Sequence, residues 1–185
     1  MIAKNKQIHF EKINESNLAD AINIQREIFP LESGEKDLME TSKNIVPNHQ
    51  FLQKYWLSKV DDKYIGICGL YAYKAYPKDA WLGWFGVIEE ERRKGYGAQI
   101  FKHIMKLAKD FGFENLRLYT DEEDNVAAIK LYKKFGMVSE VYDNPEDVHF
   151  EISKTLIFSI NLTGEKTILW DNKNLYINSH DEKNK

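Results

Sequence analysis

The chain has 185 residues, 43% apolar and 13% aromatic, with 10 Gly and 4 Pro; the length fits one compact domain that can bury roughly 70% of its unfolded surface. Its 26 basic and 29 acidic residues leave a net charge of -3, which supplies no positive field for a polyanion and argues against nucleic acid as a partner. The single cysteine, Cys68, rules out an internal disulfide framework and any multi-cysteine metal site, and suits a reducing cytosol.

Residues 1–12 alternate polar and apolar without the apolar core of a signal peptide, and the longest apolar run, 80–88, is far shorter than the ~20 residues a membrane helix needs. A soluble, cytoplasmic protein with no membrane partner is expected. Residues 7–13 alternate like a strand, and Asn14, Glu15, Ser16 and Asn17 then offer side-chain caps to a helix carrying Leu18, Ala21, Ile22, Ile24, Ile28 and Phe29, which Pro30 ends. The acidic segment 32–40 reads as a short second helix. Segments 51–60 and 64–73, rich in aromatic and β-branched residues and separated by Asp61, Asp62 and Lys63, read as a hairpin. A third strand, 80–88, is apolar on both faces and is expected to be central and the most buried.

Over 97–111, Ile100, Phe101, Ile104, Leu107, Ala108 and Phe111 recur at helical spacing, with Gln99, Lys102, Lys106 and Lys109 on the other face, until Gly112 stops the helix. A strand at 116–120 follows, then a helix from about 125 to 135 that should bury Ala128, Leu131, Tyr132 and Phe135. A right-handed crossover would set 80–88 parallel to 116–120. Segments 137–142 and 150–162 read as strands, and 167–170 with 175–177 as an added hairpin around Asp171, Asn172, Lys173 and Asn174. The expected fold is α/β: a mixed, twisted sheet of about six or seven strands with helices on both faces and an extra C-terminal hairpin. Residues 1–178 would form one domain and 179–185 a flexible tail.

The stretch Gly86-Val87-Ile88-Glu89-Glu90-Glu91-Arg92-Arg93-Lys94-Gly95-Tyr96-Gly97 ends a strand, makes a basic turn and starts a helix. Helix-start amides lack intrahelical partners and carry the positive end of the dipole, Gly95 and Gly97 remove side chains that would hold a phosphate away, and Arg92, Arg93 and Lys94 add charge. An anion site is one reading; a plain strand-to-helix turn with solvated cations is the other. A Rossmann fingerprint would need its first glycine at Arg92 or Arg93, and the Gly-Lys-Ser/Thr ending of a P-loop is missing.

Arg92-x-x-Gly95-x-Gly97 after an apolar strand resembles the acetyl-CoA-binding signature of the GNAT acetyltransferase superfamily, Gln/Arg-x-x-Gly-x-Gly/Ala. Asn125-x-x-Ala128-x-x-x-Tyr132-x-x-x-Gly136-Met137 resembles the later helix motif of the same family, in the same order. The resemblance is strongest over 81–141, extends over 7–73 and weakens after 143. It implies direct, ternary-complex transfer of the acetyl group of acetyl-CoA to a primary amine of a small molecule or peptide. It further implies cofactor contacts at Val87, Ile88, Arg92, Arg93, Lys94, Gly95, Tyr96, Gly97, Ala98, Asn125 and Tyr132. The amide of Val87 or Ile88 would polarise the thioester carbonyl, Tyr132 would protonate the departing thiolate, and acetyl-CoA would enter between the diverging strands 80–88 and 116–120.

Other readings stay open at several of these positions. Tyr132 could be a core ring and Asn125 only a helix cap. Gly83 and Gly86 allow a ligand along the strand, or tight packing among Trp81, Trp84 and Phe85. Segment 80–87 holds no carboxylate for a general base, leaving Asp79, Glu32 or a water chain. Glu32, Glu35, Asp37 and Glu40 could attract a cationic amine, or form an exposed face with Lys36 and Lys43; Glu89, Glu90 and Glu91 read as a solvated run. Cys68, flanked by Ile67 and near Leu70 with no adjacent histidine, reads as core packing rather than an acyl carrier. The run Asp121 to Asp124 suits a helix N-terminus better than a calcium loop, and His9, His49, His103, His149 and His180 lack ligand spacing, so no metal is expected. A non-catalytic acyl-CoA-binding or sensing module is the rival function, and exposed strand edges make a homodimer reasonable.

Overall fold

The computed structural model describes residues 6–123, 125–144 and 154–175. Contacts divide the chain into two compact units, Met1–Glu114 and Asn115–Lys185. Together their described residues hold seven strands and four α-helices of a mixed α/β fold.

In the first unit, β1 (His9–Lys12), β2 (Gln50–Val60), β3 (Lys63–Tyr73) and β4 (Asp79–Val87) pair antiparallel in that order. The expected hairpin is β2–β3, turned at Asp61, whose positive φ of 52° a short polar side chain tolerates. Helix α1 (Leu18–Ile28) stops two residues before Pro30, because the residue ahead of a proline is pushed out of the helical region; Phe29 has φ -126° and ψ 70°. Its expected side-chain cap is absent: Asn17 stands at the N-cap, but its carboxamide accepts from Asn14 N (2.8 Å) and donates to Glu11 Oε1 (3.0 Å) and Lys12 O (3.1 Å). Helix α2 (Glu35–Ser42) begins later than the acidic run predicted, after Ser33-Gly34.

Phe85 meets Phe101 of α3 (Tyr96–Asp110) at 5.8 Å, whereas Trp84 meets Phe29 at 5.1 Å, so α3 covers one face of this sheet and α1 with α2 the other. Ile13, Ala21, Leu38, Tyr55, Leu57, Ile67 and Ile88 make the core on the α1 side. Strand β3 rather than β4 is the most buried: its last nine residues are all inside, while Trp84, Phe85 and Gly86 of β4 are half-buried. Between Ile67↔Gly86 and Gly69↔Gly83, β4 carries one residue more than β3, a bulge that turns Gly83 and Trp84 toward the same side. The paired glycines there are required by close approach. A Cβ on Gly69 would lie 2.2 Å from Tyr55 Cδ1 and one on Gly83 2.4 Å from Tyr55 Oη, so a single ring occupies both missing side chains. Side-chain packing, not a ligand, fills the space beside Gly83, and Ile28 does the same at Gly86.

In the second unit, β7 (Thr155–Asn161) lies between β5 (Asn115–Asp121) and β6 (Val138–Tyr142), antiparallel to both. Helix α4 (Val126–Lys134) fully buries only Tyr132 of its four expected core residues; Ala128, Leu131 and Phe135 are half-buried. Among the described residues the expected C-terminal hairpin is not formed. Residues 167–170 are not strand, and 176 and 177 lie outside the described residues, as do the expected tail 179–185, the start of the 150–162 strand, Asp124, His149 and His180. The Asp171–Asn172 turn is real, with φ 59° and 53°, but across it the Trp170 indole bonds Lys173 O (2.6 Å), and its backbone is held by side chains of β6 and of Asn144 just after it. Glu140 takes the amides of Trp170 (2.6 Å) and Asp171 (2.7 Å), Tyr142 Oη takes that of Leu175 (3.0 Å), and Asn144 Nδ2 donates to Asn172 O (2.7 Å). Arg117 donates to Ile168 O (2.9 Å) and lies over the Trp170 ring at 5.3 Å, leaving Trp170 and Leu175 with no exposure.

Candidate functional site

Beyond β4 the chain makes a short 3₁₀ turn, Glu89–Glu91, and Arg93 and Gly95 then adopt left-handed backbone with φ 61° and 85°. Helix α3 starts at Tyr96, and its first turn closes with Gln99 N donating to Gly95 O at 3.3 Å. No side chain caps it, and among the described residues the amides from Arg93 to Ala98 have no acceptor. Alternating left-handed residues aim successive N–H groups into one concavity, and the helix dipole adds positive potential there. A Cβ on Gly95 would meet no atom within 4 Å, so this glycine serves its positive φ and leaves the front of the amides open.

The acidic run ahead of the turn is tethered rather than merely solvated. Lys63 bonds Glu90 and also Glu91 (3.2 Å), and Lys94 bonds Glu91 at 2.8 Å. Lys94, then Lys63, hold the Glu91 carboxyl below its usual range. Arg92, Arg93, Lys94 and Gly95 are exposed; Tyr96 is buried, and Gly97 and Ala98 are half-buried.

The sheet ladder separates the two amides expected to polarise a carbonyl. Ile88 N donates to Ile65 O at 2.9 Å and is already used. Val87 lies opposite Gly66 at a position where neither residue bonds the other, so its N–H and C=O point away from β3. Arg92 Nε donates to the Val87 carbonyl oxygen at 2.9 Å, a role the sequence did not suggest for it.

The four acidic residues of the α2 region do not form a free cluster. Glu35 pairs with Arg26 (2.7 Å), Glu40 accepts from Gln53 (3.3 Å), and Asp37 accepts from the Trp84 indole N–H at 2.8 Å. Glu32 is exposed on the α1–α2 connection. Asp79 is buried at the start of β4, roughly 26 Å along the strand from Val87 at the usual rise per residue, too far to take a proton there.

In the second unit, Tyr132 is buried against Phe158, with ring centres 5.5 Å apart, and burial pushes its phenol well above the ordinary range. Asn125 is at the N-cap of α4, yet its side chain makes no capping bond, so the carboxamide is not spent on the helix. Cys68 is wholly buried in β3 with its thiol pushed up to about 12, first by desolvation, which makes it core rather than nucleophile. Among the described residues no three His, Cys, Asp or Glu side chains gather as a metal site, and no helix is long and apolar enough to cross a membrane.

Residues 18–137 match the model of the Acetyltransferase (GNAT) family. A Drosophila melanogaster protein described as "Probable N-acetyltransferase san" is 38% identical over 68 residues, 36% of this chain. The chain spans about a third, 35%, of the length of that curated relative. Among solved structures, the ribosomal-protein-S18-alanine N-acetyltransferase of Escherichia coli superposes with TM-score 0.66 at 16% identity, covering 89% of this chain and 99% of that one. Spermidine N-acetyltransferase from Vibrio cholerae, solved with CoA and spermine, gives TM-score 0.66 at 16% identity over 85% and 96% of the two chains. At such identities these two likenesses concern the fold alone.

Proposed function

The chain belongs to the GNAT acetyltransferase family, and from that membership we propose that it transfers the acetyl group of acetyl-CoA directly to a primary amine of a small molecule or peptide. The observation that carries this reading is the run of unpartnered amides from Arg93 to Ala98 around the left-handed Arg93 and Gly95, a cradle whose chemistry fits a pyrophosphate. Acetyl-CoA supplies the acetyl group and a thiolate leaving group.

These amides, with the Arg93 guanidinium, hold the diphosphate. The Val87 N–H donates to the thioester oxygen, where charge builds as the amine nitrogen bonds to the carbonyl carbon and the C–S bond breaks. Tyr132 gives its proton to the sulfur and regains one as the new amide nitrogen loses its own. Its raised phenol stays protonated at neutral pH, as a donor must. The unspent Asn125 carboxamide bonds the pantetheine arm. Residues 1–178 act as one cytoplasmic enzyme. The base is not a strand carboxylate, and the acceptor arrives deprotonated or loses its proton to water.

Calorimetric titration with acetyl-CoA, beside a Gly95→Val variant, tests the cradle; micromolar binding weakened in the variant is expected. A thiol-release assay over a panel of peptide amino termini and polyamines, the amine classes named for the two similar enzymes, then tests transfer. Tyr132→Phe should lower kcat about 10- to 100-fold with acetyl-CoA affinity unchanged. No binding by folded wild type would sink the reading, and binding without turnover of any amine would favour a sensing module.

A further inference from the structure

Val87 is an extended residue, so its N–H and C=O point to the same side, both away from β3. An oxygen that accepts from the Val87 N–H therefore lies beside the Val87 carbonyl oxygen, and two partial negative charges crowd together. The Arg92 guanidinium removes that conflict. Its Nε bond to Val87 O, 2.9 Å, neutralises the carbonyl, fixes the plane of the Val87–Ile88 peptide, and places a positive charge next to the position where an oxyanion would form. Ile88 anchors the same peptide from the other end through its bond to Ile65 O, 2.9 Å.

Resting on the acetyl-transfer reading, we propose that Arg92 is a positioning residue for the transfer step, acting through the Val87 carbonyl beside the N–H that polarises the thioester, rather than a ligand of the cofactor diphosphate. The diphosphate is left to the amides and to Arg93, which has no partner among the described residues. Arg92 thus ties the turn that binds the cofactor to the carbonyl of the residue whose N–H polarises the thioester.

Bond counting supplies the test. Nε of arginine and Nε2 of glutamine are the same number of bonds from Cα, whereas lysine has a methylene there. Arg92→Gln keeps a donor for Val87 O without the charge; Arg92→Lys keeps the charge without a donor at that atom. In the ligand-free protein, the carbonyl ¹³C shift of Val87 should stay near wild type in Arg92→Gln and move to that of an unbonded carbonyl in Arg92→Lys. Turnover should fall about fivefold in Arg92→Gln and about fiftyfold in Arg92→Lys, with the acetyl-CoA Kd changing less than about threefold in either. The reverse order, Arg92→Lys close to wild type and Arg92→Gln losing affinity rather than turnover, would overturn the positioning role, as would an unmoved Val87 shift in Arg92→Lys. Wild type that binds no acetyl-CoA, or binds it and turns over no amine, would remove the acetyl-transfer reading and this inference with it.

Discussion

The turn at 92–98 and the strap at 163–175 are built from the same ingredients and end in opposite states. Each follows a strand, each turns on left-handed residues (Arg93 and Gly95 in one, Gly164, Asp171 and Asn172 in the other), and each offers consecutive backbone amides. In the strap the chain supplies its own anion: the Glu140 carboxylate accepts from Trp170 N and Asp171 N at 2.6 and 2.7 Å. In the turn no carboxylate among the described residues reaches the amides, although three glutamates precede them; Lys63 and Lys94 hold two of these, Glu90 and Glu91, in ion pairs. Amides filled from within make structure. Amides kept clear of nearby carboxylates make a place for an anion from outside.

The contrast can be broken at either end. The largest effect should come from Gly95→Val, since a β-branched side chain at φ 85° is strained and would stand before the amides. Acetyl-CoA affinity should fall about 50-fold by calorimetry, and a loss under twofold would show that the amides are not the anchor. Glu140→Ala should leave affinity alone and cost about 2 kcal/mol in denaturant unfolding by orphaning two amides, with Trp170 fluorescence shifting to the red; unchanged unfolding would make the strap ornamental. Arg93→Ala should weaken acetyl-CoA about fivefold at low salt, a difference that vanishes in high salt if the guanidinium acts as an exposed charge.

The smallest effect compares the two units by their buried acids. Burial raises both the Cys68 thiol, from 9.0 to about 12, and the Tyr132 phenol, from 10.0. The stability each contributes is fully present below its unfolded value and is lost as pH rises through the folded one. The thermal midpoint should therefore decline above pH 9, and Cys68→Ala should delay the onset toward pH 10, where Tyr132 and Tyr64, whose phenol is also raised by burial, continue it. An onset unmoved by Cys68→Ala would show that the thiol plays no part.

Much of this was legible in the sequence where the signal is local. The β2–β3 hairpin, α3 and the basic turn are defined by residues within a few positions of one another, and each stands within one or two residues of its expected place. The family motifs led to the turn by the same short-range logic. What escaped depends on register. Gly69 and Gly83 are neighbours only because β3 and β4 pair as they do, and the extra residue near Trp84 and Phe85 has no local signature. The Arg92 bond to Val87 and the Asp37 bond to Trp84 likewise depend on where a side chain lands across a turn or a sheet. The strap was misread because a polar turn between Trp170 and Leu175 has the spacing of a hairpin, and nothing in that segment reveals that Glu140 and Tyr142 of β6, and Asn144 just after it, satisfy it from elsewhere in the chain.

The Tyr55 ring that fills the places of two absent side chains makes the history of three positions interdependent. A methyl group added at Gly83 first must displace the phenol, an overpacking that costs about 1–3 kcal/mol. If Tyr55 is first reduced to a smaller residue, the same methyl group enters vacated space. The two changes therefore interact strongly, and an identical pair of substitutions is tolerable in one order and damaging in the other. Homologous chains that have traded this ring away should be free to carry alanine or larger at both glycines, and chains that keep it should not.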